Sequence, residues 1–216
     1  MITIATCLWA PNAQSMHYSR HYTELDAEKL YRGFKRNLTV PFRFVCWTDT
    51  PRVFAEPIEQ RQIKGEPHYG TMIQPFEMDE PMIIVGLDTI IVGNCDGLAA
   101  YCIGGEKLAV PRDPFYPENV CNGVVLAPAG NAWVWNDKPA GANDMAWMQG
   151  IYNDGKAVLI DDVFPGQVVS YKRHVHKQGL SDEMRVVYFH GEMKPHELLH
   201  VGWVARAWDE TMKEVA

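Results

Sequence analysis

Pro81-Met82-Ile83-Ile84-Val85-Gly86-Leu87-Asp88-Thr89-Ile90-Ile91-Val92 is the stretch on which the reading of this chain turns. Two apolar, β-branched runs of strand length are separated by Gly86-Leu87-Asp88. Runs that are apolar at every position, without alternation, belong to strands covered on both faces, as in a mostly parallel sheet. A carboxylate at the carboxyl end of such a strand stands where open α/β sheets collect their ligands. The plainer reading makes Asp88 a turn residue between two strands.

Working outward, Ile2 to Leu8 is a second continuous apolar run, and Phe42-Arg43-Phe44-Val45-Cys46-Trp47 is a third, ending at Thr48-Asp49. Between them, Ala27, Leu30, Tyr31, Phe34 and Leu38 recur at spacings of three and four, which predicts a helix over about Tyr22 to Asn37. Strand, helix, strand opens an α/β domain. Further strands are expected at Lys107–Val110, Gly123–Leu126, Ala157–Ile160, Gln167–Tyr171 and Arg185–Phe189. Gly130 to Asn143 reads as loop, Asp144 to Tyr152 as a short helix, and Glu197 to Val215 as an amphipathic terminal helix. No repeat or linker interrupts the pattern, so residues 1–216 are expected to form one domain.

Composition narrows the class. Nothing approaches the roughly 18 apolar residues that span a bilayer. The N-terminus lacks the basic start of a signal peptide, so a cytoplasmic protein is expected. The five cysteines form no CxxC pair and read as reduced, structural residues. A net charge of −7, with Lys172-Arg173-His174-Val175-His176-Lys177 as the one basic cluster, argues mildly against a general nucleic-acid binder.

Four motifs in a fixed order resemble the GT-A glycosyltransferases, closest to the group that includes glycogenin and lipopolysaccharide galactosyltransferases. The resemblance runs from Ile2 to about Pro195. It implies a three-layer α/β/α fold with a mostly parallel central sheet. The first motif is the opening stretch, similar to the family's strand ending in Asp-x-Asp, whose carboxylates hold Mn2+ or Mg2+ on the donor's diphosphate. Asp88 matches the second Asp, while Gly86 replaces the first. The second is Val187-Tyr188-Phe189-His190-Gly191-Glu192-Met193-Lys194-Pro195, similar to the family's HxxGxxKPW with the His-to-Gly spacing shortened. The resemblance makes His190 a metal ligand, Gly191 a point of close backbone approach, and Lys194 a phosphate contact. The third, Val120-Cys121-Asn122-Gly123-Val124-Val125-Leu126, places the Asn122 amide beside the donor sugar. The fourth, Gly141-Ala142-Asn143-Asp144, puts Asp144 near the reacting carbon, in contact with sugar hydroxyls or as a base toward the acceptor. Thr6 and Asp49, at the first two strand ends, fall where the family binds base and ribose. The family's Trp-x-Lys stretch has only Tyr69-Gly70-Thr71-Met72 as its counterpart.

Each residue has a structural alternative: a turn for Asp88, a core histidine for His190, an Asn-Gly turn for Asn122, and a helix cap for Asp144. The resemblance implies transfer of a sugar from a nucleoside diphosphate donor, uridine-based, to a hydroxyl acceptor with retention. Soluble glycan, protein, metabolite and modified nucleic acid all fit as acceptor.

Three other readings compete with it. A sugar nucleotidyltransferase needs a Gly-rich basic loop after the first strand, and Trp9-Ala10-Pro11-Asn12-Ala13-Gln14-Ser15 is neither. A non-catalytic sugar-nucleotide-binding protein is suggested by the missing first Asp. His196-Glu197-Leu198-Leu199-His200 fits the zinc-peptidase HExxH literally, but lacks a downstream third ligand.

Overall fold

The computed structural model describes residues 1–208. Its centre is a seven-stranded sheet in the order β3-β2-β1-β4-β7-β6-β8. The strands are β1 (Ile2–Leu8), β2 (Phe42–Thr48), β3 (Ile58–Gln62), β4 (Met82–Val85), β6 (Leu108–Val110), β7 (Val124–Ala127) and β8 (Ala157–Leu159). Only β7 runs against its neighbours, pairing antiparallel with β4 and β6, and every other pair is parallel. The expected α/β class and mostly parallel sheet are therefore observed.

A second sheet of three strands has the order β5-β10-β9, built from β5 (Thr89–Ile91), β9 (Val168–Ser170) and β10 (Val186–Tyr188). The opening stretch of sequence is the bridge between the sheets. The chain leaves the large sheet at Val85, crosses Gly86-Leu87-Asp88, and enters the small one at Thr89. This explains why both apolar runs lack alternation. In β4, Ile83 and Val85 join one core and Met82 and Ile84 the opposite one. In β5, Ile91 faces the first core while Ile90 faces a third.

Helix α1 (Glu24–Asn37) buries Ala27, Leu30, Tyr31 and Phe34, the stripe expected of it. It starts two residues later than Tyr22, because Thr23 caps it. The Asp26 carboxylate accepts from the Thr23 N–H at 2.7 Å. Glu24 and Asp26 in its first turn, with Lys35 and Arg36 in its last, suit the helix dipole. Helix α2 (Asp96–Gly104) and the 3-10 helix Tyr69–Met78 were not foreseen, whereas α3 (Asp144–Asn153) falls where expected. Gly130 to Asn143 contains a short helix, Trp133–Asn136, and is not loop throughout.

The C-terminal helix needs correction. Pro195–Glu197 is a single 3-10 turn, residues 198–201 are not helical, and helix α4 covers Gly202–Trp208. The remainder of the expected helix lies outside the described residues. Among the described residues, no helix is long and apolar enough to cross a membrane. All five cysteines are buried and unpaired. Burial pushes the thiols of Cys46, Cys95 and Cys102 up to about 12, so they behave as small apolar residues.

Candidate active site

The ends of β1, β4, β10 and the start of β7 converge on a cavity of about 600 Å³, within the usual range for a small-molecule site. Gly86, Asp88, Asn122, Asp144, His190, Gly191 and Lys194 all line it. Residues separated by more than a hundred positions are thus gathered because the two sheets meet here. The Gly86 N–H donates to the Gly123 carbonyl at 3.1 Å, tying the end of β4 to the turn that carries Asn122. The Phe189 N–H donates to the Asp88 carbonyl at 2.9 Å, extending the β5–β10 ladder and fixing Asp88 beside the His190 loop.

One wall of the cavity holds a polar pair. Asn122 Nδ2 donates to Asp144 Oδ2 at 2.9 Å. Asn143 caps α3, its side chain accepting from the N–H groups of Met145 and Ala146, so Asp144 is the first helical residue and not the cap itself. Desolvation raises the pKa of Asp144 above the usual carboxylate value, with the Asn122 hydrogen bond opposing that shift. Asn122 Oδ1 is buried and has no protein partner among the described residues. A buried acceptor on a cavity wall, left without a donor, suits a ligand hydroxyl.

The other wall holds charge. The Lys194 ammonium pairs with Asp88 Oδ2 and donates to the Phe189 carbonyl at 2.7 Å. Lys194 is only 5% exposed. His190 Nε2 lies 2.7 Å from Ser170 Oγ, and its ring packs nearly perpendicular to that of Phe115. Desolvation first, then the nearby Lys172 ammonium, lowers the pKa of His190 and keeps the imidazole neutral near pH 7.

The expected metal pair is therefore brought to one cavity but not into a metal site. The Asp88 carboxylate faces an ammonium, His190 Nε2 faces Ser170, and Gly86 supplies no ligand. Among the described residues, no group of three His, Cys, Asp or Glu side chains is placed to hold a metal ion. A hard cation asks for several oxygen donors, so these residues do not fit it.

Two further expected contacts do not line the cavity. Thr6 is fully buried within β1, which runs on to Leu8, so Cys7, Leu8 and Trp9 line the cavity instead. Asp49 is spent on the fold: Oδ2 accepts from the Ala10 N–H at 2.8 Å, and Oδ1 pairs with Arg52 at 2.8 Å. The HExxH string is not a helix face. Glu197 Oε2 accepts from the Lys194 N–H at 2.8 Å, and His196 stacks on His21. Sequence reasoning missed Tyr22, Phe115 and Tyr116 on the cavity wall. The run Asp113-Pro114-Phe115-Tyr116-Pro117 carried the available signal, two aromatics in a turn, and both are exposed.

This arrangement, cavity-lining residues at the strand ends of a mostly parallel sheet beside a smaller mixed one, is the GT-A glycosyltransferase type of fold. Among solved structures, the galactosyltransferase LgtC in complex with donor and acceptor sugar analogues is similar, with a TM-score of 0.54 and 12% identity over 97% of this chain and 92% of that one. The glycosyltransferase GlyE of Streptococcus pneumoniae TIGR4 gives a TM-score of 0.62 at 11% identity, over 90% of this chain and 56% of that one. The bifunctional glycosyltransferase WbbM gives 0.59 at 8% identity, over 90% of this chain and 46% of that one. This chain thus spans about half the length of the last two. At such identities the likeness is one of fold. No family model matches the chain, and no curated protein matches it in sequence.

Proposed function

We propose that this chain is a glycosyltransferase that takes its sugar from a nucleoside diphosphate donor, uridine-based, and passes it to a hydroxyl acceptor with retention. The observation that carries the reading is the unpartnered, buried Asn122 Oδ1 beside the Asn122–Asp144 pair, on a cavity that also holds a fixed ammonium. Acceptor atoms on one wall suit sugar hydroxyls, and a cation on the other suits a diphosphate. In the transfer, the bond from the anomeric carbon to the diphosphate oxygen breaks, and its electron pair stays on that oxygen. The acceptor oxygen bonds the same carbon. With retention, acceptor and leaving group share one face, so the departing phosphate is the nearest base for the acceptor's proton. Asn122 and Asp144 hold the sugar, while the charged wall stabilises the phosphate as its charge grows.

The test is release of free nucleotide from a panel of nucleotide sugars by the wild type and by Asp144→Asn. Release that depends on the sugar and falls in the variant supports the reading. Binding of the donor without any release, with or without added acceptors, would favour the non-catalytic sugar-nucleotide-binding protein. That second reading draws on the same departure, Gly86 in place of a carboxylate.

A further inference from the structure

We infer that the Lys194 ammonium, held by Asp88 and the Phe189 carbonyl, does here what a divalent cation would do, so that the donor's diphosphate binds without a metal. The inference rests on the proposed donor site and deepens it. Its first support is what position 86 lacks and what that allows. A Cβ built on Gly86 would lie 2.7 Å from Asp88 Oδ1. A side chain there would push the Asp88 carboxylate out of its present position. The missing carboxylate and the Asp88–Lys194 pair are therefore linked: glycine at 86 leaves Asp88 room to take the ammonium.

The second support is how firmly Lys194 is placed. A lysine side chain normally loses up to about 2 kcal/mol of rotamer entropy when fixed. Here the fold has already fixed it. The ammonium is held by Asp88 and by Phe189, and it lies 6.0 Å from the centre of the Tyr22 ring. The backbone N–H of Lys194 is held by Glu197, and Pro195 stiffens the turn that follows. An ammonium has three donors, and Asp88 and Phe189 take two, leaving one for an oxygen of the ligand. A charge held in place before the reaction costs no reorganisation when the leaving group develops its own.

A second ammonium, that of Lys172, stands beside the same loop. Lys172 Nζ would be 3.1 Å from a Cβ at Gly191, which lies at φ +66°. Gly191 thus keeps its backbone open beside the Lys172 ammonium, next to His190, and it lines the same cavity as Lys194.

Calorimetric titration with UDP, in EDTA and in Mn(II), tests the inference on the wild type, Lys194→Ala and Asp88→Asn. The expected result is wild-type affinity that agrees within about twofold between the two conditions, and a loss of at least about tenfold in Lys194→Ala, the scale of one charged hydrogen bond. Asp88→Asn separates the two accounts even if Lys194→Ala fails to fold. With lysine as the cation, the variant keeps or tightens its UDP binding in EDTA, because the ammonium loses its internal partner. Binding that appears only with Mn(II), and disappears in Asp88→Asn, would overturn the inference while leaving the donor site intact. No UDP binding in either condition would overturn the donor site, and the inference with it.

Discussion

The two walls of the cavity were assembled by different means. The first wall joins Asn122, in the turn before β7, to Asp144, the first residue of α3, and the pair forms one direct hydrogen bond of 2.9 Å. The second wall joins Asp88 and Lys194, 106 residues apart, through the pairing of β5 with β10. The first wall keeps the residue types that the resemblance implies and leaves an acceptor open for a ligand. The second has one carboxylate where the resemblance implies two, and that carboxylate is paired with an ammonium. On the proposed function, the difference teaches that the part of a site which recognises a substrate and the part which neutralises its charge can be altered separately.

The comparison breaks most sharply at Asp144. Asp144→Asn should lower turnover by about 10² or more, as loss of a positioned transition-state partner does, while changing UDP affinity little. Equal losses in turnover and in UDP affinity would mean that the two walls are not separate. Next in size is the effect of the ion pair on stability. Lys194→Ala leaves Asp88 unpaired in a half-buried position and should cost about 1–3 kcal/mol, since the cavity readmits water to the carboxylate. The Tm of Lys194→Ala against the double variant with Asp88→Asn measures it, and the double variant should recover part of the loss.

A pH series sharpens the first wall. Because the folded state raises the pKa of Asp144, ionising it works against the fold. Its favourable contribution is complete below the unfolded value and is lost as pH rises through the folded one. Asp144→Asn should therefore gain Tm relative to the wild type on going from about pH 4 to about pH 7. The acid limb of the wild-type rate profile should also lie above the ordinary carboxylate range. A Tm difference that does not change with pH would contradict both.

The smallest effect concerns the HExxH string. Glu197→Gln weakens one cap on the Lys194 N–H and should cost about 0.5–1 kcal/mol in stability. It should lower nucleotide release only slightly, through the looser placement of Lys194, and create no dependence on zinc. Peptidase activity abolished by this variant would restore the reading that the local structure argues against.

Much of the fold was legible because buried parallel strands are apolar at every position, as in β1 and β4, and α1 carries a clean three-and-four stripe. The edge strand β3, Ile-Glu-Gln-Arg-Gln, was not legible, because an exposed edge is kept polar and has one apolar residue to show. Helix α2 begins Asp-Gly and ends Ile-Gly around a short apolar run, which carries no helical period. The terminal helix was placed too early because Leu198 and Val201 have helical spacing but pack as a bend into the third core. In the site, Asn122 and Asp144 could be found because each sits in a recognisable local context. The partner of Asp88 could not be found that way. Sequence spacing says nothing of a contact made by strand pairing between two sheets, and the same lysine was expected to serve the ligand alone.

The most direct measurement is a crystal structure with an intact nucleotide sugar bound. The account expects the diphosphate against Lys194 and the Gly191 loop, and a sugar hydroxyl donating to Asn122 Oδ1 next to Asp144. A nucleotide sugar seated in that cavity with its sugar away from Asn122, or seated elsewhere on the protein, would contradict it.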